Sequence, residues 1–182
     1  RKWKNVYNFK KSNYPIEMNN YYIKSATKND MDFILNLNQN NMPAVSMLSS
    51  DLFLKFLNIS DYIKIIKNDD ESVGFLIGLF PNKLYDSINY QWFNSHYKSF
   101  IYVDRIVVSN SNQNKGIGSY FYNDIKSKYI NKVSHLACEV NIRPLNQQSI
   151  NFHKKFGFKQ VGQQFSEENK KLVSLQVFKL KN

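Results

Sequence analysis

From Tyr21 onward, apolar positions switch repeatedly between alternation and a spacing of three to four residues, and the switches delimit the elements. Residues 21–26 alternate as a strand. Thr27 then caps a helix over about 29–41, with Met31, Ile34, Leu35 and Leu37 as its apolar stripe. Pro43 stops it. A second helix is predicted over 50–58, capped by Ser49 or Ser50. Residues 62–67 and 72–80 read as two strands joined by a turn at 68–71. Residues 81–98 show no period and are expected as a long loop. Strands are predicted at 99–109 and 135–141, helices at 116–130 and 146–156. Gly157 serves as the C-cap of the last helix, and closing strands follow at 158–162 and 172–180.

The order β-α-α-β-β-β-α-β-α-β-β predicts one α/β (α+β mixed) domain around a single central sheet. In strand 99–109 apolar residues fall on both faces, which predicts a strand covered on both sides. Phe100, Ile106 and Val108 are expected on one face, and Ile101, Val103 and Val107 on the other.

Composition changes this picture little. With 182 residues and 42% hydrophobic content, one domain is expected over 21–182, preceded by a basic extension, 1–20, that is disordered or strapped onto the domain. That extension lacks the apolar core of a secretory signal; organelle targeting through it stays open. No apolar run is long enough for a membrane span. The lone Cys138 rules out an intrachain disulfide, no Cys/His cluster has metal-ligand spacing, and a reducing, cytoplasmic setting follows most simply. The net charge of +11 invites a nucleic-acid reading, but the basic residues are scattered and form no run of five.

The most specific local signal is Gln113-Asn114-Lys115-Gly116-Ile117-Gly118, directly after the central strand and at the start of a helix. The first turn of a helix carries unpaired N–H groups and the positive end of the dipole, and glycine lets a phosphate approach the backbone. A P-loop would need Lys-Ser/Thr after its last glycine, whereas Gly118 precedes Ser119-Tyr120. A dinucleotide fingerprint would need another glycine where Phe121 stands.

Gln-x-x-Gly-x-Gly after an apolar strand resembles the acetyl-CoA pyrophosphate loop of the GNAT superfamily. Asn146-x-x-Ser149-x-x-Phe152-His153-x-x-x-Gly157-Phe158 resembles a second motif of that family, in the right order and one strand downstream. The stretches Pro43–Ser46, Tyr85–Ser87, Asn89-Tyr90, Trp92-Phe93, Tyr102–Val108 and Glu139–Asn141 are similar to a GNAT subgroup, so the resemblance spans about 20–180.

The resemblance implies a mixed, mostly antiparallel twisted sheet flanked by helices, and an acetyl-CoA-dependent N-acetyltransferase acting by direct attack of a primary amine. It places the pyrophosphate on Gln113, Asn114, Lys115, Gly116, Ile117, Gly118 and Ser119. The pantetheine arm falls to Ile106, Val107, Val108, Asn141, Asn146, Ser149 and Phe152. His153 stands where the family often has a tyrosine that protonates the leaving thiolate; Tyr122 and Tyr129 are alternatives. An attacking amine must first lose a proton. Glu139, then Asp104, are the candidate bases, each equally readable as half of a salt bridge, for instance with Arg105 or Arg143. Cys138 alternates with Leu136 and Val140, away from Glu139, and reads as core. Tyr85, Asp86, Tyr90 and Trp92 of the 81–98 loop are candidate acceptor contacts, or else a packed lid or dimer contact. The acceptor is a small-molecule or peptide amine, and the chain a monomer or homodimer. A non-catalytic acyl-CoA-binding module and a basic nucleic-acid-binding protein are the competing readings.

Overall fold

A computed structural model describes residues 20–166 and 170–180. The expectation for the basic extension lies outside the described residues. Seven strands are described: β1 (Tyr21–Ser25), β2 (Tyr62–Asn68), β3 (Glu71–Leu79), β4 (Phe100–Val108), β5 (His135–Arg143), β6 (Lys159–Ser166) and β7 (Lys171–Lys179). They form one sheet in the order β1-β2-β3-β4-β5-β7-β6. Every neighbouring pair is antiparallel except β4 and β5, which are parallel.

Three helices cover one face: α1 (Met31–Gln39), α2 (Ser50–Ile59) and α3 (Ile88–His96). They bury Ile34, Phe53, Phe56, Tyr90 and Phe93 against Phe75, Phe100 and Tyr102. On the other face, α4 (Ile117–Tyr129) and α5 (Gln147–Phe156) enclose Phe121, Tyr122 and Ile125 with Ile101, Val103, Leu136 and Phe158. The Ser49 hydroxyl caps α2 by accepting from the Leu52 N–H.

Two features depart from the sequence pattern. The expected loop 81–98 contains α3. Its aromatic and amide side chains are mediocre helix formers. Tertiary burial of Tyr90 and Phe93, three residues apart, fixes it, with Ser87 accepting from the Tyr90 N–H. The second departure lies in β4. Ile77 pairs with Arg105 and Gly78 with Val103, leaving Asp104 as the extra residue of a β-bulge. The bulge flips the alternation. Ile106 and Val108 therefore pack with Ile101 and Val103, and Val107 with Phe100 and Tyr102, the reverse of the simple alternation expected for Ile106, Val107 and Val108.

Side chains of adjacent residues, Asp104 and Arg105, thereby meet on one face. Arg105 Nε donates to Asp104 Oδ2 at 2.7 Å, and both side chains are about 5% exposed or less. Arg105 Nη1 donates to Asn38 Oδ1 at 2.8 Å and to the Ser46 carbonyl at 3.0 Å. The guanidinium also lies over the Phe56 ring. One cation thus joins β4, α1, α2 and the segment between the helices. Removing one member of a buried pair leaves an uncompensated charge. Arg105→Met is expected to lose about 3–5 kcal/mol in urea unfolding. The double variant Asp104→Asn/Arg105→Met should recover more than half of that loss; additive losses would contradict the pairing.

Candidate active site

The bulge also ends the pairing of the parallel strands. β4 and β5 are in register from Phe100↔His135 to Val103↔Cys138 and no further. Beyond that point, among the described residues, β4 keeps only β3 as partner and β5 only β7. The edge of Asp104–Val108 that faces β5 therefore carries backbone polar groups with no ladder partner. The wedge widens into a cleft of about 1110 Å³. Its volume lies a little above the usual range for a ligand site, about 300–1,000 Å³.

One mouth of the cleft is the Gly-rich turn. Asn114 and Gly116 take positive φ, 60° and 84°, so the chain reverses there into α4. Glycine carries that conformation without strain. The first helical bond runs from Tyr120 N to Gly116 O at 2.9 Å, so the N–H groups of Ile117, Gly118 and Ser119 have no intrahelical acceptor. Gly118 has a different task. A Cβ there would sit 2.7 Å from the Phe152 ring, so its absence lets α4 and α5 close together. Gln113 closes the turn: its Nε2 donates to the Val108 carbonyl at 3.0 Å, and its Oε1 accepts from Gln148 at 3.0 Å. Asn146 caps α5, its Oδ1 accepting from Ser149 N at 3.1 Å, and lines the cleft as well.

The cleft brings together Ile106, Val107, Val108, Gln113, Asn114, Gly116, Ile117, Gly118, Ser119, Asn141, Asn146, Ser149 and Phe152 from the sequence-based set. Lys115 is not among the lining residues. Free N–H groups at a helix start, an unpaired strand edge and a cleft of this size fit the pyrophosphate and amide-bearing arm of acetyl-CoA. Asp104, Glu139 and His153 line it too.

The two carboxylates differ sharply. Asp104 is saturated, by the Tyr85 hydroxyl on one oxygen and Arg105 on the other. Glu139 is half-buried, and its Oε2 is inaccessible and without a hydrogen-bond partner among the described residues. Burial, then the nearby Asp104 charge, push its carboxyl up to about 7; the neighbouring Tyr102 hydroxyl and Asn89 side chain oppose the shift only in part.

His153 is 3% exposed. Its Nδ1 lies 2.8 Å from the Ser149 carbonyl and so carries the proton, which leaves Nε2 to accept from the Tyr122 hydroxyl at 2.7 Å. Burial lowers its pKa to about 4. The imidazole is neutral at pH 7 and its one N–H is committed, so the direct proton donor implied by the resemblance is not what this geometry holds ready. Tyr122 also lines the cleft, and burial holds its phenol protonated. Cys138 faces α4 with Leu136 and Val140, and burial raises its thiol pKa.

Of the acceptor candidates, only Tyr85 lines the cleft. The Asp86 side chain is fully exposed, facing Lys55. Tyr90 is core, its hydroxyl donating to the Phe80 carbonyl. Trp92 stacks on His96 and packs near Gly162. Helix α3 turns Tyr90 and Trp92 away from the cleft, and Asp86, just before its N-cap, points to solvent, which residue type alone does not reveal. Asn89 and Lys171, which sequence reasoning passed over, line it instead.

A carboxylate at Gly116 would meet any phosphate at this turn. In thermal melts, acetyl-CoA at about 100 times its Kd should stabilise the parent by roughly 2.7 kcal/mol. Gly116→Glu should gain nothing. An equal gain in both would place the ligand elsewhere.

The model of the acetyltransferase (GNAT) family matches residues 23–158. The fold is similar to Ard1 from Thermoplasma volcanium (TM-score 0.72, 14% identity, 90% of this chain and 99% of that one). It is also similar to Arabidopsis thaliana NAA60 in complex with acetyl-CoA (0.69, 14%, 87% and 99%). The ribosomal-protein-S18-alanine N-acetyltransferase of Escherichia coli superposes likewise (0.66, 13%, 89% and 95%). Comparison with curated proteins by sequence gives no match. The family model spans the splayed strands, the Gly-rich turn and the helix that follows it, and the chain belongs to the acetyltransferase (GNAT) family, whose acyl donor is acetyl-CoA.

Proposed function

We propose that the chain is an N-acetyltransferase in which a primary amine attacks acetyl-CoA directly, with Glu139 as the base. The observation that carries this is the Glu139 carboxyl in the cleft where β4 and β5 part, whose Oε2 has no hydrogen-bond partner among the described residues. Acetyl-CoA supplies the thioester carbonyl that the amine attacks. The Gly116–Ser119 amides and the free edge of β4 hold its phosphates and arm. Strand N–H groups up to Val108 are the donors for the carbonyl oxygen.

Glu139 has the affinity of a working base, about 7, whereas Asp104 is held by Arg105 and Tyr85 and serves to raise it. We assign the leaving-group proton to the Tyr122 hydroxyl, with His153 as its positioning residue. Among the described residues no helix is long and apolar enough to cross a membrane, and none form a metal cluster. The single buried Cys138 suits a reducing, cytoplasmic setting.

Glu139→Gln should lower turnover by about 10²–10⁴-fold and leave acetyl-CoA binding intact. In the parent, activity should fall as pH drops through about 7, where Glu139 takes up its proton. Stability carries the opposite sign. Glu139 binds its proton more tightly folded than unfolded, so its contribution to stability declines as pH rises from the ordinary carboxylate range to about 7. Glu139→Gln should therefore melt above the parent at pH 8 and level with it at pH 4. Steady-state kinetics and melts read both, and unchanged turnover would overturn the assignment.

A further inference from the structure

Beyond their last shared rung β4 and β5 no longer hold each other, and an irregular segment bridges the gap. Residues 43–46, between α1 and α2, belong to no helix or strand. Side chains of three strands fasten them. From β4, Arg105 Nη1 donates to the Ser46 carbonyl at 3.0 Å, and Asn38 Nδ2 of α1 donates to the same oxygen at 3.0 Å. From β5, Asn141 Nδ2 donates to the carbonyls of Pro43 at 3.2 Å and Ala44 at 3.4 Å. From β7, Lys171 Nζ donates to Ser46 Oγ at 3.3 Å. We propose that 43–46 is a strap that shields Glu139 and the thioester from water, and that Asn141 is the positioning residue that fastens it; the inference rests on the reading of the cleft as a site of acetyl transfer.

Placement points to this role. Glu139 and Asn141 are two residues apart on β5 and share a face. Arg105, which grips the other end of the strap, also holds the Asp104 carboxylate whose charge acts on Glu139. Ala44, Val45 and Ser46 line the cleft together with Glu139, yet Pro43, Ala44 and Ser46 are exposed. The strap thus lies between the base and solvent.

The chemistry needs such a shield. A base that takes a proton from an amine also serves water. The water oxygen would bond to the thioester carbonyl carbon as the C–S bond breaks. One water proton would pass to Glu139 and the thiolate would take the Tyr122 proton, giving acetic acid and free CoA. Proton exchange with solvent would reset both side chains. Excluding water suppresses this loss of acetyl groups.

The two ends of the strap are held differently. A buried guanidinium and an amide share the Ser46 carbonyl. At the Pro43–Ala44 end the donor is one neutral amide at longer range, so this end opens first. The family resemblance gives Asn141 to the pantetheine arm; its Nδ2 is instead engaged with the strap.

The test compares the parent chain with Asn141→Ala and with Ala44→Gly, which loosens the strap itself by added backbone freedom and leaves β5 intact. Without ligand, backbone hydrogen exchange in 44–48 should quicken about fivefold in Asn141→Ala, as expected for one lost hydrogen bond. With acetyl-CoA and no amine, release of free CoA should also rise about fivefold, because water reaches the thioester in the opened form. Ala44→Gly should move both readings in the same direction, and it decides alone if Asn141→Ala does not fold. The gain in melting temperature from acetyl-CoA should match the parent's in both variants. A gain lost in Asn141→Ala with exchange in 44–48 unchanged would return Asn141 to the cofactor arm and overturn the inference. Unchanged CoA release in the folded variants would overturn it too. Adding Glu139→Gln to Asn141→Ala should bring CoA release back to the parent level. Release that persists would remove Glu139 as the base, and with it that part of the transferase reading, while the strap stands.

Discussion

The architecture depends on one extra residue in its central strand. Asp104 interrupts β4, and the interruption does three things at once: it reverses the facing of Ile106, Val107 and Val108, it brings Asp104 and Arg105 to the same face, and it coincides with the last rung between β4 and β5. A bulge bends and twists its strand, so a parallel partner cannot follow it. The edge left open is the floor of the cleft. Buried ions would be costly in so apolar a surrounding, and the Arg105 network is what makes the bulge tolerable.

That network also sets the chemistry. By satisfying Asp104 completely, Arg105 and Tyr85 turn it into a fixed negative neighbour, and the cost of a second charge falls on Glu139. Two carboxylates on adjacent strands thus sit in different electrostatic surroundings. The same logic holds for Tyr122 and His153. The Ser149 carbonyl fixes the imidazole tautomer, and the tautomer makes the tyrosine the donor of the pair. A histidine at position 153 thus leaves a hydroxyl donor beside it, on the adjacent helix.

What was legible in the sequence was whatever local physics decides. The strand order, the α2 cap at Ser49, one of the two serines expected there, the glycine-bearing turn and the Gly157 C-cap follow from neighbouring residues and appear where expected, the last with φ of 110°. What was not legible depends on distant partners. Helix α3 has weak periodicity and is fixed by burial of Tyr90 and Phe93, so Asp86, Tyr90 and Trp92 looked like cleft residues when they belong to the surface or the core. The bulge left one trace, a charged pair inside an apolar strand. Simple alternation sends those two residues to opposite faces, so the salt bridge between them, one reading of the sequence, needs the bulge to form. Glu139 and Asp104 were both visible as candidates; only the positions of Arg105 and Tyr85 separate them.

Hydrogen exchange of backbone amides with and without acetyl-CoA tests the central claim most directly, because it reads the strand edge that the bulge exposes. The account predicts that acetyl-CoA slows exchange in 104–108 and 116–119 and leaves 100–103, already laddered on both sides, unchanged. Equal protection throughout β4, or none in 104–108 at saturating acetyl-CoA, would contradict it.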